Sequence, residues 1–192
     1  MMVKAASGSS SRRITRRTAV GARHEIGLCW AMQNLRTALP DDADRCFAIE
    51  QAAYEGDEAA TLAKIAKRIA DYPEGFLVLE DGEEIAGFIN CGCARVVDMA
   101  DEAFKELRGH DPDAPNVVIL SVVVDPSRQG HGLARVLMEA FVARMREMGK
   151  GRIYLMCKDQ HVPLYEKLGY GYLRPSASDH GGMRWHEMAM AL

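Results

Sequence analysis

The chain has 192 residues, a formal net charge of −3, 48% hydrophobic and 27% charged residues. That is the profile of one globular domain, not of a fibrous or wholly disordered chain. No run of 18 apolar residues occurs, which excludes a transmembrane helix, and the charge balance gives no reason to expect nucleic acid as a partner. Five cysteines (Cys29, Cys46, Cys91, Cys93, Cys157) fit neither a disulfide framework nor a zinc-ligand spacing. A reducing, cytoplasmic compartment is the simplest reading, and no metal is expected.

The average hides an asymmetry. Residues 1–24 hold Lys4, Arg12, Arg13, Arg16, Arg17 and Arg23 and no acid. The remaining 18 basic and 27 acidic residues leave about −9 for residues 25–192. Residues 1–33 therefore read as a basic, Ser- and Arg-rich tail, expected to be disordered. A transit peptide, which would send the chain to an organelle matrix, is a second reading. A kinase site is a third, because Arg12-Arg13-Ile14-Thr15 and Arg16-Arg17-Thr18 set a hydroxyl just after two cations.

Residues 34–192 read as one domain. Asn34–Leu39 has the pattern of a short strand. Pro40-Asp41-Asp42 starts a helix through Phe47, Ile49 and Ala53, with acids at its positive end. A second helix over Ala59–Ala70 lines up Leu62, Ile65, Ala66 and Ile69, and Tyr72-Pro73-Glu74-Gly75 breaks it. Phe76–Glu80 and Glu83–Cys91 flank Asp81-Gly82, a hairpin signal. Asp98–Arg108 is expected as a surface helix. Asn116–Val124 (NVVILSVVV) is apolar and β-branched, the mark of a strand buried on both faces. Asp125–Ala134 is a glycine-bearing turn, Leu133–Met148 an amphipathic helix, Ile153–Cys157 a strand, and His161–Leu168 a short helix. Gly169–Leu173 and Arg184–Leu192 close the chain as strands. The order predicts an α/β fold whose mixed central sheet is flanked by helices.

The stretch Val122-Val123-Val124-Asp125-Pro126-Ser127-Arg128-Gln129-Gly130-His131-Gly132-Leu133-Ala134 carries the most chemistry. A buried strand runs into a turn that opens a long helix, whose first N–H groups lack partners inside the helix and sit at its positive end. Gly130 and Gly132 permit unusual dihedrals and close approach. The result suits a pyrophosphate, although an ordinary strand-to-helix turn would share these features.

Two motifs in register carry a resemblance. Gln129-Gly130-His131-Gly132-Leu133-Ala134 is similar to the (Gln/Arg)-x-x-Gly-x-(Gly/Ala) acetyl-CoA signature of the GNAT (GCN5-related N-acetyltransferase) superfamily. Leu164-Tyr165-Glu166-Lys167-Leu168-Gly169-Tyr170 resembles its Leu-Tyr-Glu-Lys-Leu-Gly-(Tyr/Phe) segment. The resemblance covers roughly residues 34–192. It implies a single GNAT-like domain, acetyl-CoA as co-substrate, and a cofactor site at Val122, Val123, Val124, Gln129, Gly130, His131, Gly132, Leu133, Ala134 and Arg135. Phe47–Tyr54, Leu155–Asp159, Val162–Glu166 and Met188–Leu192 further resemble the arylalkylamine (serotonin) N-acetyltransferase branch. That branch carries an amino-terminal Arg-Arg-x-Thr site that docks a phosphorylation-dependent adaptor, which Arg12-Arg13-Ile14-Thr15 echoes without the Pro two residues after Thr15. The branch's vertebrate members also place two His where Val118 and Leu120 stand here, so their proton relay is missing.

The resemblance implies an N-acetyltransferase for a small-molecule primary amine, arylalkylamine or polyamine. Alternatives are acetylation of a protein amino terminus or lysine, and a non-catalytic acyl-CoA-binding module. An aliphatic amine has a pKa near about 10.4 and needs a base at neutral pH. Glu50 is the candidate base, set against an ordinary solvated carboxylate. Tyr165 is the candidate general acid for the leaving thiolate, set against a core tyrosine. Main-chain N–H groups around Val122 suit an oxyanion. His161 lies on Tyr165's helix face and reads better as a helix-start residue. Ser121, Cys157, Met138, Met145 and Met148 suit packing. Glu55, Asp57 and Glu58 form an acidic run that would draw a cationic amine, while Tyr54, Tyr172 and Trp185 could line the site or the core.

Overall fold

A computed structural model of the chain describes residues 2–3, 33–54, 59–178 and 182–192. The expected disordered tail, 1–33, is described only at Met2, Val3 and Gln33, all three of which lie in strands; its remainder, Thr15 and the acidic run Glu55, Asp57 and Glu58 lie outside the described residues. The strands are β1 (Met2–Val3), β2 (Gln33–Thr37), β3 (Phe76–Asp81), β4 (Glu84–Ala94), β5 (Asn116–Val124), β6 (Arg152–Cys157), β7 (Gly171–Pro175) and β8 (His186–Ala191). The helices are α1 (Ala43–Ala53), α2 (Leu62–Asp71), α3 (Leu133–Glu147) and α4 (Val162–Lys167). The sheet runs β2-β3-β4-β5-β6-β8-β7, with β1 paired to β5 off that path. β5 and β6 are parallel and the other neighbours on the path are antiparallel, so the sheet is mixed.

Local chemistry explains the starts of the helices. One 3-10 turn, Pro40–Asp42, leads into α1. Asp42 accepts the Leu39 N–H at 2.7 Å and a forked pair of bonds from Arg36 at 2.6 and 3.0 Å. The Arg36 contact comes first among the causes that hold this carboxyl below its usual range. Thr61 caps α2 by accepting the Lys64 N–H at 3.3 Å.

β5 is buried at every position but its first. α1 and α2 lie over one face of the sheet, where Ser121 on β5 meets Glu50 of α1 and Arg68 of α2. α3 lies over the other, where Gly87 faces Leu137. A Cβ added at Gly87 would stand 2.6 Å from the Val123 carbonyl oxygen. Gly87→Ala should therefore cost about 1–3 kcal/mol through a forced backbone shift, read as a melting temperature several degrees lower. An unchanged melting temperature would show that the sheet yields there freely.

The expected helix over Asp98–Arg108 is absent. Only Ala103–Glu106 makes a 3-10 turn, and Leu107 follows at φ 59. The side chains of Asp98 and Asp101 each accept the N–H two residues on, at 2.9 Å, and such turns compete with helix bonds. Phe104 and Leu107 are instead buried against Gly92, where a Cβ would come within 2.8 Å of the Phe104 ring. β7 begins two residues later than expected, because Gly169 at φ 91 turns the chain out of α4 first.

One departure from regular pairing positions the site. β5 pairs with β6 only from Asn116 to Val118, opposite Arg152–Tyr154. Beyond that the two strands part, β5 running on to Val124 and β6 to Cys157. β1 takes up the freed edge, with Met2 beside Ser121 and Val3 beside Val122 in parallel register.

Candidate active site

The turn after β5 is stapled from several sides. Asp125 accepts from the Ser127 N–H at 2.9 Å and its hydroxyl at 2.6 Å, and from Arg45 at 2.6 Å. These bonds, Ser127's first, hold its carboxyl below the usual range. Arg128 reaches back to Asp81 at 2.7 Å and Glu84 at 2.5 Å on the β3–β4 hairpin. The Gln129 amide donates to the Val124 carbonyl at 3.0 Å, fixing the turn to the strand end. The His131 ring contacts the Arg128 carbonyl at 3.3 Å, and Arg135 pairs with Glu139 at 2.6 Å.

Gly130 and Gly132 sit at φ 84 and 80, and nothing lies within 4 Å of where a Cβ would stand on either. The main-chain N–H groups of Gly130, His131, Gly132, Leu133 and Ala134 donate to no described residue; the first returning bonds are those of Arg135 and Val136 to the Gly132 carbonyl. Five consecutive donors thus lack a partner among the described residues at the positive end of a fifteen-residue helix. The sequence places these residues in one turn, and the structure keeps them together, with Val122, Val123 and Val124 buried just upstream.

Glu50 is not a solvated carboxylate. It is 2% exposed on α1, with Oε1 accepting the Ala60 N–H at 3.0 Å and the Ser121 hydroxyl at 3.2 Å. Oε2 is buried, with no partner among the described residues. Burial leads the causes that raise its pKa above the ordinary 4.5; the Ala60 N–H and the Arg68 charge oppose it. Arg68 of α2, 4% exposed, donates to the Lys105 carbonyl at 3.3 and 2.9 Å, to Asn90 Oδ1 at 3.3 Å and to Ser121 at 3.4 Å. Burial pulls the guanidinium down to about 10, partly offset by Glu50, so it stays charged at neutral pH. Sequence reasoning missed Arg68 and Asn90. The available signals were a cation between Ile65 and Ile69 on the apolar stripe of a helix, and an amide inside an otherwise apolar strand.

Tyr165 on α4 is 1% exposed and meets Tyr170 edge-on, ring centroids 5.8 Å apart. Burial, with smaller additions from the Cys157 thiol and Tyr170, raises its pKa well above the ordinary value. Cys157 ends β6, on the far side of the gap from Ser121 and Val122. It is packed against Met188 at 3.6 Å and burial lifts its pKa to about 12, so it packs rather than reacts. The two candidate groups thus belong to elements on opposite sides of the splay, Glu50 through Ser121 of β5 and Tyr165 beside the end of β6.

His161 is buried at the start of α4, and Met138 and Met145 pack in the core. Tyr54 is buried, its hydroxyl donating to the Val122 carbonyl at 3.3 Å. Trp185 is buried and Tyr172 exposed. Among the described residues no cluster of His, Cys, Asp or Glu could hold a metal ion, and no helix is long and apolar enough to cross a membrane.

The splayed sheet and the run of unpaired amides define an α/β domain whose long helix opens just after a buried strand. Residues 37–170 match the acetyltransferase (GNAT) family, and the chain belongs to it. Mycothiol acetyltransferase of Catenulispora acidiphila is 29% identical over 103 residues, 51% of this chain and 28% of that protein. Serotonin N-acetyltransferase 2, chloroplastic, of Oryza sativa subsp. japonica is 44% identical over 55 residues, 29% of this chain and 28% of that protein. The matched segments span little more than a quarter of these relatives' length. The loading GNATL domain of CurA from Lyngbya majuscula superposes with a TM-score of 0.73 at 16% identity, covering 83% of this chain and 97% of that one. yncA from Salmonella typhimurium, solved with its cofactor acetyl-CoA, gives 0.62 at 22%, covering 84% and 94%. At these identities the likeness is one of fold.

Proposed function

We propose that this chain moves the acetyl group of acetyl-CoA to the primary amine of a small molecule, with Glu50 as base and Tyr165 as general acid. The observation that carries the reading is the run of five amides unpaired among the described residues, Gly130–Ala134, at the positive end of a helix, which suits a pyrophosphate. Gln129, Gly130, His131, Gly132, Leu133, Ala134 and Arg135 would hold that end of the cofactor, and Val122–Val124 its acyl arm once β1 gives up the edge it holds beside Ser121 and Val122. The relatives' names favour an amine acceptor, and the sequence favours an arylalkylamine or polyamine.

Bound acetyl-CoA supplies a thioester carbon for the amine to attack. The chain's own groups do the rest. Glu50 Oε2 takes the ammonium proton, which frees the nitrogen lone pair to form the C–N bond. Main-chain N–H groups near Val122 stabilise the negative charge that gathers on the carbonyl oxygen. As the C–S bond breaks, the Tyr165 hydroxyl gives its proton to the departing thiolate, and the second proton that the nitrogen loses as the amide forms returns the phenolate to phenol. Because burial keeps this phenol protonated well past neutral pH, it is available as a donor throughout the working range. Val118 and Leu120 are buried and apolar, so no histidine relay operates and the buried carboxylate takes its place.

Two tests follow from these roles. Gly132→Val forces a branched residue into a left-handed backbone and fills the space before the amides. The stabilisation that acetyl-CoA gives to unfolding should disappear; a full thermal shift in the variant would remove the turn from the cofactor site. Glu50 must be ionised to act, so kcat/KM should rise with pH through a carboxyl pKa above 4.5, and Glu50→Gln should lose that limb with most of the rate. A profile of unchanged shape in the glutamine variant would assign the base elsewhere. Release of CoA thiol across an amine panel tests the activity itself.

A further inference from the structure

β1 lies in the gap where β5 and β6 part. It pairs with β5 in parallel, Met2 beside Ser121 and Val3 beside Val122, and it also touches β6. The strands on the continuous path of the sheet have five to eleven residues, whereas β1 has two and stands off that path. Residues 4–32 join it to β2. The acid-free, Arg-rich composition of residues 1–24 offers little apolar surface to anchor it. The edge it holds takes one extended chain at a time, because each main-chain group there points to one partner. Ser121, beside Met2, is the residue whose hydroxyl ties β5 to Glu50, so β1 crosses the gap level with the assigned base. Val123 and Val124, between β1 and the turn, pair on this side with no described strand.

We propose that Met2–Val3 is an autoinhibitory strap: it holds the edge of β5 that the acyl arm of acetyl-CoA needs, and the two exclude each other. This rests on the reading of Val122–Val124 as the seat of that arm. The pyrophosphate turn, Gly130–Ala134, lies beyond the residues that β1 pairs with, so the nucleotide end of the cofactor lands while the strap is docked. The amides of the arm then take Val124 and Val123 first and displace β1 from Val122 and Ser121. Only two residues hold the strap, so the exchange is within the cofactor's reach. Because the strap stays tethered to the domain, it competes at a high effective concentration. It therefore weakens the cofactor without abolishing it: the apparent dissociation constant rises in inverse proportion to the fraction of chains whose edge is open.

The test uses the full chain and measures dissociation constants by titration calorimetry. Successive residues of a strand turn their N–H groups to opposite sides. Making both Met2→Pro and Val3→Pro therefore removes the donor to β5 whichever residue carries it. Acetyl-CoA should bind this double variant about threefold to thirtyfold more tightly than wild type. Adenosine 3′-phosphate 5′-diphosphate keeps the pyrophosphate and lacks the arm, so it should bind both proteins alike. Equal constants for acetyl-CoA in the two proteins overturn the strap while leaving the cofactor reading intact. A gain of the same size for the armless nucleotide overturns it as well, because the prolines then act elsewhere than on the arm's edge. No binding of acetyl-CoA by either protein overturns the cofactor reading and the strap together. Should the double variant fail to fold, each single proline is made in turn, and one of the two is required to show the gain for acetyl-CoA alone.

Discussion

Arg68→Leu should lower the unfolding free energy by about 3–5 kcal/mol, the largest stability effect expected of a single substitution here. The charge is not removed from water to water. It leaves the buried Glu50 charge without the opposing charge of Arg68, and it strips the Lys105 carbonyl of two donors and Asn90 Oδ1 of its partner. In a chain of this size each kcal/mol moves the melting temperature by about 2–4 °C, so a drop of roughly 6–20 °C is expected. The deficit should depend on pH with a definite sign. Arg68 lowers the Glu50 pKa against the stronger effect of burial, so without it the carboxyl protonates more readily. Once neutral, the carboxyl needs no counter-charge, and the gap to wild type should narrow as the pH falls. Combining Arg68→Leu with Glu50→Gln should recover part of the loss, since the pair acts as a unit. A melting temperature within a degree or two of wild type, flat with pH, would show that water already solvates this cluster.

Tyr165→Phe should lower kcat by about 100- to 10,000-fold with little change in melting temperature. The ring is packed against Tyr170, and phenylalanine keeps that contact. The residual rate should come from positioning alone, which survives the loss of the hydroxyl. Binding of acetyl-CoA, measured by thermal shift, should be unaltered, because the phenol belongs to the leaving group and not to the pyrophosphate turn. Turnover near the wild-type value would return Tyr165 to the role of a core tyrosine. A joint loss of turnover and of cofactor binding would point to damage at the β6 end of the gap.

The legible parts of this molecule are those whose pattern is local. The unbroken NVVILSVVV fixes β5 because a strand buried on both faces needs no polar positions, and Gly130 and Gly132 announce the turn that follows. α3 is visible from its amphipathic spacing and its closing Gly149. The burial of Glu50 is not visible, because it depends on Arg68, eighteen residues further on, and on Ser121 in the middle of the sheet. A charge between Ile65 and Ile69 and an asparagine among the apolar residues of β4 are the traces of that cluster in the sequence. Neither has meaning until the strands and helices are stacked. The segment Asp98–Arg108 misleads because its composition suits a helix while two aspartates turn the backbone away from one. The parting of β5 from β6 leaves no local mark at all, since it is a relation between strands separated by a whole helix.

Cys46, Cys91, Cys93 and Cys157 are all enclosed by the fold. Among them Cys93 has the most acidic thiol, brought down to about 7 by hydrogen bonding from Cys91 and then Tyr72. By intrinsic reactivity it would be labelled first, yet it is 0% exposed. An aromatic disulfide reagent can therefore attack it only in the moments when β4 breathes away from its neighbours. The labelling rate becomes a stopwatch for that opening, and a ligand that tightens the sheet should slow it in proportion.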